Sequence, residues 1–323
     1  MLFAPFSWNH HDANLIVPPR TGKSGRIELR RFAGPSAYAR KMNPMRVAHL
    51  TDLHVGRVTP FEIQREARAL VNAQHPDLIL VTGDFVCHSQ AYLDQLTQLM
   101  AGFTAPVLAV LGNHDYWVGA EEVSLALRRA GVEVLRNQNT IISVRGQPIQ
   151  IVGLDDAYTG HALRDKAVAG LRHDLPALAM SHIAEEADFL WTHGIPLVLS
   201  GHTHGGQITL ARLQEITVGK IGGHKYVHGL YGSRQANGNA GAVYVGAGIG
   251  AAVMPIRIGE RGKREVTIFE LGVAPGGFNE PHEEQRPSRG RAVSSAKLQR
   301  RMAKVVRNRD RRSNRRTIEM PSV

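Results

Sequence analysis

A single cysteine, Cys87, excludes an internal disulfide and any thiolate metal cluster. Long hydrophobic runs are equally missing. The longest weakly polar stretch, Gly241 to Ile256, is broken by four glycines and Pro255 and is too short to cross a bilayer. Residues Met1 to Trp8 lack the charged start of a secretory signal. A cytoplasmic location is expected on these grounds, with any membrane contact peripheral, on the inner face. Acidic residues are the scarcer charge, 28 against 39 Lys and Arg, for a formal net charge of +11. The excess is concentrated: residues 281–323 carry a net +9, so the rest of the chain is almost neutral.

Against these absences stand five short polar motifs, each just behind an apolar run. They are Asp52-Leu53-His54, Gly83-Asp84, Gly112-Asn113-His114-Asp115, Ser181-His182 and Gly201-His202-Thr203-His204. Asp, Asn and neutral His are the oxygen and nitrogen donors that Mn, Fe, Zn or Mg accept, and no thiolate is needed. The runs Met45–Thr51, Asp77–Thr82, Val107–Leu111, Ala177–Met180 and Leu197–Leu199 read as short buried strands. Helical patterns at Phe61–His75, Gln90–Gly102 and Ala120–Ala130 lie between the early ones. Strands alternating with helices predict a largely parallel α/β sheet. In such sheets ligands collect beyond the carboxyl ends of strands, where distant motifs converge. Singly, Asp52, Asp84 and Asn113 would pass as turn formers or helix caps. As an ordered set they point to a two-metal centre.

The set and its order resemble the calcineurin-like metallophosphoesterase superfamily, over about Met45 to Leu271. Further wording, THGGQI at Thr203–Ile208, GLDD at Gly153–Asp156, and the later VYVGAGIG and PIRIG, is similar to a membrane-associated bacterial branch that includes UDP-2,3-diacylglucosamine pyrophosphatases. The resemblance implies a two-sheet β-sandwich flanked by helices, with a di-metal site at strand ends. Gly241–Gly246 and Glu265–Leu271 would complete the second sheet. It implies one metal on Asp52, His54 and His204, another on Asn113, His182 and His202, and Asp84 bridging both. Mn is the expected ion, with Fe, Zn or Mg as alternatives. A metal-bound hydroxide would attack in line while His114, oriented by Asp115, protonates the leaving oxygen. His182 is followed by Ile183-Ala184-Glu185 where the family pattern has Asn-Pro-Asp.

Tyr158 and His161, in the loop after GLDD, and His224 and His228, in a Gly-rich stretch, are candidates for the mouth of the site. Turn and surface roles fit the same residues. The local cluster His10, His11 and Asp12 reads as a polar surface segment.

Three domains are expected: an extension over 1–44, the catalytic domain over 45–272, and over 273–323 a linker with a basic tail that is disordered or an amphipathic helix, apart from the folded domain. Within the tail, Leu298, Met302, Val305 and Val306 form a narrow apolar stripe on a basic helix. Such a helix suits an anionic membrane surface. Nucleic acid is a weaker fit, because aromatics for base stacking are missing there. The expected activity is hydrolysis of a phosphodiester or pyrophosphate, with a lipid-linked substrate such as UDP-2,3-diacylglucosamine in first place. Nucleotides, nucleic acid or phosphoprotein form the alternative substrates, and a non-catalytic membrane- or RNA-binding adaptor is the alternative of another class.

Overall fold

The structure, a computed structural model, describes residues 26–206, 223–235, 240–251, 262–280 and 284–318. The His10, His11 and Asp12 cluster, Gln207-Ile208 and the PIRIG segment lie outside the described residues.

Among the described residues, twelve strands form two six-stranded sheets packed face to face. The first sheet contains β1 (Ile27–Ala33), β2 (Met45–Leu50), β3 (Leu78–Thr82), β4 (Val107–Val110), β5 (Glu133–Val134) and β12 (Arg264–Leu271) in the order β1-β12-β2-β3-β4-β5. The second contains β6 (Gln138–Val144), β7 (Gln147–Leu154), β8 (Ala177–Ser181), β9 (Leu197–Ser200), β10 (Gly229–Gly232) and β11 (Ala242–Val245) in the order β10-β11-β9-β8-β7-β6. The central pairs β2-β3-β4 and β7-β8-β9 are parallel, as are β9 and β11.

Alternation explains why the central strands read as unbroken apolar runs. In β3, Leu78 and Leu80 enter the core between the sheets, while Ile79 and Val81 face the helices. Both faces are dry, so no polar position is left. The inter-sheet core adds Val47, Leu108 and Val110 from one side and Ile151, Leu178, Met180 and Leu199 from the other. Helix α2 (Phe61–Asn72) turns Ile63, Ala67 and Val71 onto the first sheet, beside α3 (Leu93–Met100) and α5 (Ala120–Arg129). That i, i+4, i+8 spacing is the helical period. On the far side, α6 (Arg164–Val168) and α7 (Ala187–Thr192) cover the second sheet through Ala167, Ala187 and Leu190. The layers run helix, sheet, sheet, helix.

Three expectations need correction. Glu265–Leu271 joins the first sheet, because β12 pairs antiparallel with β2 and parallel with β1. Residues 27–33, expected in an extension, supply the edge strand β1, so the folded unit begins before Met45. The tail is attached as well: Gln285 bridges to Tyr231, Glu284 accepts from Arg234, and α8 (Ser295–Ile318) packs against α4 (Asn113–Val118).

Candidate metal centre and active site

The five motifs leave the ends of β2, β3, β4, β8 and β9, which are neighbours within the two sheets. Their loops bend sharply. Asp52, His54, Asp84, His202 and His204 have φ of 51°, 44°, 56°, 75° and 51°, a left-handed conformation that costs L-residues free energy. Such strain persists only where the surroundings enforce it. Close packing of the loops is part of that enforcement: a Cβ on Gly112 would lie 2.3 Å from Asp84 Oδ1, and one on Gly201 would lie 1.9 Å from Thr51 Oγ1.

Each candidate carboxylate has one oxygen fixed and one aimed inward. Asp52 Oδ2 accepts from Thr51 Oγ1 at 2.8 Å and from the His202 amide at 3.0 Å. Its Oδ1 is buried without a hydrogen-bond partner, 3.4 Å from His204 Nε2 and 3.8 Å from His54 Nε2. Asp84 Oδ1 accepts from the His114 amide at 2.8 Å, while its Oδ2 stands 3.5 Å from both His54 Nε2 and His182 Nε2. His182 Nδ1 lies 2.7 Å from the Thr82 carbonyl, so in the neutral ring that nitrogen carries the proton and Nε2 is the one left to face the site. This second-sphere contact is typical of a metal-ligating imidazole. His202 Nδ1 is 3.3 Å from His182 Nε2, and Asn113 Oδ1 nearby is buried with no partner.

Buried acceptors without donors are expensive. Around the unpartnered oxygens of Asp52 and Asn113, the candidate ligands gather into two groups, Asp52, His54, Asp84 and His204, and Asp84, His182 and His202, with Asp84 common to both. Two divalent cations fit that donor set. Electrostatics agree: burial lowers the pKa of His54 and His202, whereas at His182 burial is outweighed by Asp84, Asp52 and Asp156 together, which raise it to about 10. The carboxylates thus draw positive charge into a buried site.

Asp115 does not orient His114 as expected. Its carboxylate accepts from the amides of Asp84 at 2.9 Å, Phe85 at 2.8 Å and Gly112 at 2.9 Å. It therefore ties the Gly83-Asp84 loop to the Gly112-Asn113 loop. His114 is held by rings instead, with its centroid 4.8 Å from that of His54, 5.3 Å from His88 and 4.6 Å from Trp117. Burial lowers its pKa.

The rim residues divide. Tyr158 stands 4.8 Å from the His202 ring, and His224 stands 5.3 Å from it, with His224 Nδ1 3.2 Å from Glu185. His161 stacks on Tyr116 at 3.8 Å, next to the Tyr116 to Asp155 hydrogen bond. His228 is a correction: it is 2% exposed and bonded to Glu265 at 3.0 Å, a core position. Trp117 was missed from sequence, although it follows His114 by three positions on α4 and so shares its face. Arg301 and Lys304 of α8 were missed too; they lie 3.5 Å over Tyr158 and 3.3 Å over Trp117. Nothing in sequence distance could have placed them there.

A family model described as calcineurin-like phosphoesterase matches residues 45–206. Phosphodiesterase YaeI of Escherichia coli is 33% identical over 71% of this chain and 82% of its own length. UDP-2,3-diacylglucosamine pyrophosphatase LpxG of Chlamydia muridarum is 26% identical over 62% of this chain and 73% of its own. Among solved structures, a 5'-nucleotidase precursor from Thermus thermophilus aligns with a TM-score of 0.46 at 15% identity, over 72% of this chain and 56% of that one.

Proposed function

Since this chain belongs to the calcineurin-like phosphoesterase family and is a metal-dependent phosphoester hydrolase, we propose that its two divalent ions are held by Asp84 and six further side chains, five of them grouped with it and the sixth Asn113. Asp52, His54 and His204 serve one ion; Asn113, His182 and His202 serve the other; Asp84 serves both. The observation that carries this reading is Asp84 Oδ2, at 3.5 Å from an imidazole of each group. Mn is the proposed ion, as these mixed oxygen and nitrogen donors suit it.

Two such ions supply charge neutralisation and an activated water for in-line displacement at phosphorus. The chain's own residues do the rest. His114 sits at the edge of the His54 side of the site, where its imidazole can give a proton to the departing oxygen. Burial lowers its pKa, which makes the protonated form a stronger acid. Asp115 is a positioning residue that fixes the two loops bearing Asp84 and Asn113.

The proposed substrate is a phosphodiester or pyrophosphate with a lipid-linked portion, of the kind LpxG is named for. Met302 and Val306, 43% and 56% exposed, favour this over a soluble nucleotide. They lie on the outward part of a basic helix docked beside the site, Met302 at the edge of its contact with Gly160, a geometry suited to an anionic membrane surface. Among the described residues no helix is long and apolar enough to cross a membrane.

The test is hydrolysis of bis(p-nitrophenyl) phosphate by metal-stripped protein titrated with Mn²⁺, wild type beside Asp84→Ala. Turnover that saturates near two ions per chain, with both turnover and the second ion lost in the variant, is expected. Equal metal content and turnover in the variant would overturn the shared-ligand assignment.

A further inference from the structure

Three nitrogen atoms near the mouth of the site are buried with no hydrogen-bond partner: Arg301 Nε, Trp117 Nε1 and His114 Nδ1. The first two are obligate donors. They belong to one continuous wall. Ring centroids run from His114 to Trp117 at 4.6 Å, Trp117 to Tyr158 at 6.1 Å and Tyr158 to His202 at 4.8 Å. Arg301 lies over Tyr158 and Lys304 over Trp117, so two cations of α8 stand above this wall. The helix is anchored there by Leu298 and Met302 against Gly160, by Val305 in the core, and by Asn308 and Arg312 on the Trp117 carbonyl.

A wall that offers cations and unanswered N–H groups lacks an anion. We infer that Arg301, with Trp117 and Lys304, forms an anion subsite beside the metal centre that binds the second phosphoryl group of a diphosphate diester. The inference rests on the reading of the Asp84 centre as the hydrolytic site. Its location gives the subsite a direction, because it adjoins His114, the proton donor to the departing oxygen. Water adds to the phosphorus at the metal centre and the bond from that phosphorus to the bridging oxygen breaks. The bridging oxygen leaves with the electron pair and takes a proton, so the products are two phosphomonoesters, one of them held at Arg301. A substrate with one phosphoryl group has nothing to place there. Guanidinium suits the task because its fork matches two phosphate oxygens at once.

The test compares kcat/KM for UDP-glucose, a soluble diphosphate diester, with that for bis(p-nitrophenyl) phosphate, using full-length Mn²⁺-loaded protein. In Arg301→Gln the ratio of the two is expected to fall about tenfold, the order for loss of one charge-assisted hydrogen bond, mainly through KM for UDP-glucose. Trp117→Phe keeps a ring and removes the N–H, and its ratio should fall less. Arg301→Lys should recover part of the loss. A ratio unchanged in both Arg301→Gln and Trp117→Phe overturns the subsite. Calorimetric binding of UDP-glucose to metal-free protein separates this from the hydrolytic reading. Tighter binding by wild type than by Arg301→Gln supports the subsite even without turnover, and equal binding overturns it.

Discussion

At the residue scale the centre is built by making each polar atom do one task. Asp52 and Asp84 each anchor one oxygen to the protein and turn the other inward. Asp115 is the counterpart that holds the loops. Asp115→Asn replaces one accepting oxygen by an NH₂ that faces backbone donors, leaving at least two amides unanswered. A loss of about 2 to 4 kcal/mol is expected from buried unpaired groups, read as a lower denaturant midpoint. Metal affinity should weaken about 10- to 100-fold, as for other residues that hold ligands in place. His114→Ala should behave differently, with about 10²- to 10⁴-fold lower kcat and both ions retained. Loss of metal from that variant would reassign His114 to the ligand set.

At the scale of elements, β12 links the two sheets at the ligand end. Glu265 accepts from Tyr244 of β11 at 2.8 Å and the Ala247 amide at 2.9 Å, and pairs with Arg30 of β1 at 2.6 Å and His228 at 3.0 Å. The Ala247 loop in turn touches the first motif, since the Gly250 amide donates to the Asp52 carbonyl at 2.7 Å. Burial alone would raise the Glu265 pKa, but Arg30 and His228 hold it well below the usual carboxylate range. The folded value is therefore below the unfolded one of about 4.3. The stabilisation it gives is complete above that pH and is lost as pH falls toward the folded value. Glu265→Gln should cost about 3 to 5 kcal/mol at pH 7, because the buried Arg30 guanidinium is left with only the half-buried Glu28 carboxylate. Between pH 4 and pH 3 the gap between variant and wild type should narrow in urea titrations; a constant gap would contradict the ionised pair.

For the whole molecule, the question is what the basic tail does. It is both a wall of the site and an outward surface. Leu298, Arg301, Val305, Asn308 and Arg312 face the catalytic domain, whereas Val306 remains exposed and Met302, beside Gly160, is exposed in part. Sedimentation with phosphatidylglycerol vesicles is expected, absent with phosphatidylcholine and weakened by 0.5 M salt. Val306→Gln and Val306→Ser should each reduce it several-fold while thermal stability is kept. Vesicle binding unaffected by these changes would assign it to charge alone.

The chemistry was legible in sequence because metal donors have few substitutes. Asp52, His54, Asp84, Asn113, His182, His202 and His204 stand at the ends of runs whose period and length specify buried strands. Helices α2, α3 and α5 were legible for the same reason, an apolar face repeated at the helical period. The partners of edge strands were not, since β1 and β12 meet across more than 230 residues and strand pairing leaves no local mark. His228 looked like the other motif histidines until Glu265 was seen beside it. The sequence by itself determined the candidate donors, their order and the layered α/β framework. Only the tertiary structure decided that Asp115 ties loops together, and that a tail about 185 residues from Trp117 walls the site. Both are contacts between segments whose sequences carry no information about their distance in space.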